Sequence, residues 1–168
     1  MTQEFSIAYL QSVLDYNPTT GIFRWKSTRS GRIPASKIAG AIHSVSGHRT
    51  IVIDQRKYKA HRLAWFYVYG KWPPYEIDHI NMIPDDNRIV NLRLIAKGKR
   101  WQQRANQMVR KDSNSGLKGV RAYGNKWMAR CRKNGVEIHR CGFASAKEAH
   151  EAYVEMAIAA FGEFARPV

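Results

Sequence analysis

Residues 75–95, YEIDHINMIPDDNRIVNLRLI, constrain the fold of this chain more than any other stretch. Two short apolar runs flank a polar loop. An adjacent acid and imidazole, Asp78 and His79, sit where the first run ends. Neighbouring residues of a regular strand point to opposite faces. Asp78 and His79 therefore cannot serve one site from mid-strand. They need a bend or a strand end, and the polar stretch that follows fits that need. A carboxylate is an oxygen ligand of the kind hard metals take. A neutral imidazole that titrates near cellular pH suits the deprotonation of water. By residue type alone, a surface histidine beside a turn-forming aspartate is an equal reading.

The elements around this stretch follow from local pattern. Residues 3–16 read as a short helix, because Phe5, Ile7, Leu10, Val13 and Leu14 fall near helical spacing and Asn17-Pro18 stops it. Residues 21–26 read as a strand, and 27–41 as a Ser-, Arg-, Gly- and Lys-rich loop. TIVID at 50–54 alternates as a strand. A helix over 61–69 ends at Gly70. His61 precedes this apolar run and could reach the Asp78–His79 site, but it is read as capping or packing the helix. His43, His48, His139 and His150 show no metal-ligand spacing with one another. Residues 96–112 are basic and compatible with helix. SNSG at 113–116 marks the domain boundary, giving domains 1–112 and 113–168.

Beyond that boundary the pattern changes. Residues 118–123, 126–132 and 137–143 read as strands, joined at Gly124-Asn125 and Asn134-Gly135. Residues 145–161 read as a helix, with Ser145 and Glu148 in the spacing of a capping box. The two cysteines, Cys131 and Cys141, belong to no CxxC pair and read as reduced thiols packed in this sheet.

The formal net charge is +15, from 28 Lys and Arg against 13 Asp and Glu. Self-repulsion on that scale points to a polyanionic partner. No apolar window of about 18 residues spans a membrane. The basic residues are spread along the chain rather than gathered on one amphipathic helix, which argues against a membrane surface. The N-terminus carries acids and lacks the pattern of an export signal, so a cytoplasmic protein is expected. Nucleic acid is the expected partner.

Residues from about Phe5 to Asn106 resemble phage and intron-encoded HNH endonucleases, through AHRLAW at 60–65, GKWPPYEIDHIN, and DDNRIVNLRLI. The resemblance implies a ββα-metal fold over about residues 72–108: a hairpin packed on one helix with one divalent metal between them, magnesium or alternatively manganese. It implies that Asp78 binds the metal and His79 is the general base. Asn91 would brace the loop and orient the histidine, and Asn87 would be structural. The family's second metal ligand lies on the following helix. Without a gap that position falls on Arg100, which cannot bind a cation. With three extra residues it falls on Gln103, and Asn106 matches a later Asn.

Residues 116–164 resemble the plant Apetala-two / ethylene-response DNA-binding domain, through Gly-Val-Arg at 119–121, Lys-Trp at 126–127, Glu-Ala at 148–149 and Ala-Tyr at 152–153. Arg121, Lys126, Trp127, Arg130, Arg132, His139 and Arg140 are its expected DNA-binding residues. Arg130 stands where the plant domain has an acid, and His139 where it has a tryptophan, so base preference does not carry over.

The sequence therefore predicts an α+β protein: an HNH nuclease domain followed by a small three-stranded antiparallel sheet packed on one helix. The expected activity is phosphodiester hydrolysis in double-stranded DNA. One centre per monomer implies nicking, by a phage-encoded protein acting in a bacterial host as a monomer or homodimer. The alternatives are a DNA-binding protein with a decayed centre and an RNA-binding protein using its basic sheet.

Overall fold

The computed structural model describes residues 5–28, 34–95 and 113–165 of the chain. Gln103, Asn106 and the expected helix over 96–112 lie outside these residues. The chain forms two compact units, Met1–Ala96 and Lys97–Val168.

The first unit departs from expectation at its start. Helix α1 covers only Ile7–Val13, with the Ser6 hydroxyl accepting from the Tyr9 N–H at 3.2 Å. The chain then extends as β1, Leu14–Asn17, instead of continuing the helix to residue 16. Leu10 and Leu14 have helical spacing, which is why the pattern misleads. From Leu14 onward, however, buried and exposed residues alternate, and β1 pairs antiparallel with β2, Ile22–Trp25, with Leu14 opposite Trp25. Pairing with β2 overrides the local propensity.

A second sheet comprises β3 (Ala41–Ile42), β4 (Arg49–Ile53) and β5 (Arg56–Lys59), in that order. Helix α2, Ala60–Tyr69, follows at once. It ends at Gly70, whose φ of 67° is the left-handed conformation that favours glycine. The hairpin of β6, Glu76–His79, and β7, Leu92–Ile95, completes the described part of the unit. Ile77 and Leu92 from the hairpin share a core with Leu63, Ala64 and Phe66 of α2, Ile51 and Ile53 of β4, and Phe23 of β2. Burying these side chains contributes about 1.5–3 kcal/mol each, so the hairpin is anchored through its own apolar residues. Gly21, at the β1–β2 turn, lies against the backbone of Asn87 and Arg88. A Cβ there would collide with both.

The second unit matches its local pattern closely. Strands β8 (Val120–Tyr123), β9 (Lys126–Lys133) and β10 (Val136–Phe143) form an antiparallel sheet in the order β10-β9-β8. Helix α3, Ala146–Phe161, packs on it. Ser145 accepts from the Glu148 N–H at 3.2 Å, and a Glu148 carboxylate oxygen accepts from the Ala144 N–H at 3.2 Å. The capping box thus forms one residue out of its usual register on the return side. Gly119 lies against the Tyr153 ring at φ 72°, so both space and backbone exclude a side chain. Cys131 is buried as expected, but Cys141 is exposed.

Candidate active site and basic sheet

Strand β6 ends at His79, so the strand end demanded by the adjacent Asp78 and His79 is present. The two side chains turn to different partners. Asp78 sits opposite Arg93 in the hairpin register. Its Oδ2 accepts from Arg93 Nε at 3.0 Å and Nη2 at 2.9 Å. His79 faces two further imidazoles. Its ring centroid lies 5.4 Å from that of His48 and 5.1 Å from that of His61, and His48 and His61 are 5.1 Å apart.

This convergence changes the reading of His61 and brings in His48. His61 does not cap α2, since the cap residue is Lys59. His61 is 5% exposed and turns its ring to His48 and His79. His48, just before β4, has no spacing signal that links it to the others. Each of the three rings offers a nitrogen, and these atoms lie within 4.8 Å of one another. AHRLAW was the only local hint, and it concerned His61 alone.

Burial holds all three imidazoles toward the neutral form. His61 is pushed down to about 2, first by burial and then by the charges of His79 and His48. His79 is lowered by burial and by His48, and the Asn87 side chain and the Asp78 and Asp86 carboxylates pull it part of the way back. His48 is lowered by burial, against the opposing effect of its bond to the Pro84 carbonyl. A neutral imidazole has one bare ring nitrogen, which can take a proton or bind a metal.

The loop between β6 and β7 is held by a polar network. The Asn91 amide nitrogen donates to Asn81 Oδ1 at 2.9 Å and to the Asp86 carbonyl at 2.8 Å, while its oxygen accepts from the Asn81 N–H at 3.0 Å. This is the geometry of a brace. Asn87 is buried, donates to the Asp85 carbonyl at 2.9 Å, and its own carbonyl accepts from the Tyr16 hydroxyl at 2.7 Å. Arg49 grips Asp85 through Nε and Nη2, at 2.8 and 2.7 Å, and His48 Nδ1 lies 3.2 Å from the Pro84 carbonyl. Adjacent residues at the start of β4 thus fasten the loop that carries the site. Arg88 holds the Asp86 carboxyl down to about 2.

In the second unit the strand register sorts the expected DNA-binding residues onto two faces. Arg130 pairs with His139, Arg121 with Met128, and Tyr123 with Lys126. Paired residues share a face, as do residues two apart on a strand. Arg121, Lys126, Arg130, Arg132 and His139 therefore lie on one face, and all are exposed. Trp127 and Arg140 do not join them. Trp127 is half-buried, and Arg140 lies opposite Ala129 on the helix side, where Nη1 is 3.5 Å from Glu155 Oε2.

No described helix is long and apolar enough to cross a membrane. Neither a curated protein nor a solved structure shows significant similarity to the chain. A family model described as HNH endonuclease matches residues 58–98, the segment that holds α2, Asp78, His79 and the β6–β7 hairpin. Residues 58–98 are therefore similar to an HNH endonuclease domain.

Proposed function

We propose that the chain is a divalent-metal-dependent DNA endonuclease that hydrolyses one phosphodiester bond per centre, and therefore nicks. The carrying observation is His79: a buried, neutral imidazole at a strand end, beside the Asp78 carboxylate, within the HNH-matching segment. His79 takes a proton from the attacking water. The Asn91 brace and the Asn87 side chain hold the loop and ring in place for that transfer. Asp78 suits the acid of a hard-metal site, because a carboxylate offers the oxygen ligands that such an ion takes. Gln103 and Asn106, outside the described residues, are its proposed companions. When bound, such an ion would stabilise charge on the phosphate and leaving oxygen.

The second unit is proposed as the recognition domain, with Arg121, Lys126, Arg130, Arg132 and His139 toward double-stranded DNA. A three-stranded sheet backed by one helix supports its Apetala-two-like reading. Arginines spaced along such a face can reach phosphates or guanine edges.

Supercoiled plasmid incubated with the protein and magnesium or manganese should be nicked. His79→Ala should slow nicking by about 10²–10⁴-fold, the usual contribution of a positioned base. Unchanged nicking by that variant would remove His79 from the mechanism. The Arg93–Asp78 pair favours a second reading, a DNA-binding protein with an inactive centre. Retained DNA binding without nicking under either metal would select it.

A further inference from the structure

We infer that His48, His61 and His79 form a binding site for a zinc-class transition-metal ion, separate in ligand chemistry from the carboxylate site at Asp78. The ion would take the His79 lone pair and so shut off the base. This inhibitory consequence rests on the proposed nuclease function; the binding site itself does not.

Three observations carry the site. The nitrogens converge from separate segments, the start of β4, α2 and the end of β6, to within 4.8 Å of one another. Tetrahedral zinc, with Zn–N bonds of about 2.0–2.1 Å, needs nitrogens roughly 3.4 Å apart. Closing that difference requires the three rings to turn toward a common centre. Secondly, His61 Nδ1 is fully enclosed yet makes no hydrogen bond among the described residues. A buried polar atom left so is costly unless something fills its need. Thirdly, the Pro84 carbonyl can only accept, so His48 Nδ1 must be the donor. That fixes the tautomer with the His48 Nε2 lone pair available, the arrangement usual for metal-bound histidine.

The donor set selects the ion. Imidazoles suit zinc, copper and nickel, while magnesium prefers oxygen and retains water. The nearby Asp78 and Asp86 carboxylates bear on His79 and favour a cation there, whereas Lys59 and Arg62 act against one at His61. Three protein ligands leave a fourth position open to water.

The test is titration of chelator-stripped full-length protein with cobalt(II), followed by its visible absorption, and with zinc by calorimetry. One equivalent should bind with a tetrahedral cobalt spectrum. His48→Phe and His61→Ala should each weaken binding by at least about tenfold, the cost of even an outer-shell loss. Asp78→Asn, which removes a nearby charge but no ligand, should keep the one-equivalent stoichiometry and the tetrahedral spectrum once circular dichroism shows it folded. His48→Phe alters a half-buried ring, and circular dichroism checks its fold alongside His61→Ala. In magnesium-supported nicking, zinc should inhibit the unsubstituted protein and inhibit His48→Phe less. Absence of stoichiometric binding, equal binding by folded histidine variants, or loss of binding in folded Asp78→Asn would each overturn the site. Binding with no nicking under any condition would instead refute the nuclease reading and leave the site standing.

Discussion

The two units place polar groups in opposite ways. The described part of the first buries five: His61, Asp78, His79, Asn87 and Asn91. The described core of the second is apolar, built on Met128, Ala129, Cys131, Tyr153, Met156 and Phe161. Buried polar groups cost stability unless they are paired, so a fold that keeps five together must supply partners for them. The second unit bears no such cost, and its distinctive residues are on its surface. Ion pairs differ too, although the first unit's Arg88–Asp86 pair also has an exposed arginine. Arg93–Asp78 is nearly enclosed at 2.9 Å, whereas Arg130–Glu137 and Arg140–Glu155 are exposed at 3.5 Å.

The sharpest test of this contrast breaks the enclosed pair. Arg93→Leu leaves Asp78 buried without its guanidinium and should cost about 3–5 kcal/mol, read by urea unfolding. A loss below about 1 kcal/mol would mean that the pair behaves like a surface one. Next in size is the joint substitution of Arg130 and Arg132 by Ala. It should lower the slope of log affinity against log salt by about two, near 0.9 per lost phosphate contact. Nicking at saturating DNA should not change. An unaltered slope would take this face out of the DNA contact.

Ser145→Ala removes the α3 cap and should cost about 1 kcal/mol, confined to the second unit. Hydrogen exchange that loosens the β6–β7 hairpin equally would contradict that confinement. Arg140→Ala should cost between about 0 and 1 kcal/mol, as exposed pairs do. The contrast vanishes under alkali. Burial raises Tyr16 in the first unit and Tyr153 in the second to about 12. Tyrosine in an unfolded chain ionises near 10, so above that pH the unfolded state releases protons that the folded state keeps. The stability is full below about pH 10 and is lost as pH rises toward 12. Both units should loosen together, and an alkaline titration that melts only one would show that the other tyrosine is not so held.

Legibility differed between the units for a physical reason. In the second, the instructions were short-range: Gly124-Asn125 and Asn134-Gly135 at the turns, and Ser145 with Glu148 at the helix start. In the first, Leu10 and Leu14 suggested a helix that pairing with β2 overruled. The brace at Asn91 was implied by the HNH resemblance, but its partners Asn81 and Asp86 were not. On the basic sheet, the sequence named the cations, and strand register separated Arg140 and Trp127 from the rest.

By itself, the sequence determined that Asp78 and His79 could serve one site only from a bend or a strand end, that an HNH-like segment surrounds them, and that a strand-rich unit with one helix follows. These depend on residue type and short spacing, which a chain carries without folding. Tertiary structure alone decided that His79 faces His48 and His61 while Asp78 faces Arg93. Those neighbours come from segments distant in sequence, brought together when β4, α2 and the hairpin bury Ile51, Leu63 and Ile77 in one core. No local pattern encodes that convergence, because the burial of apolar side chains creates it.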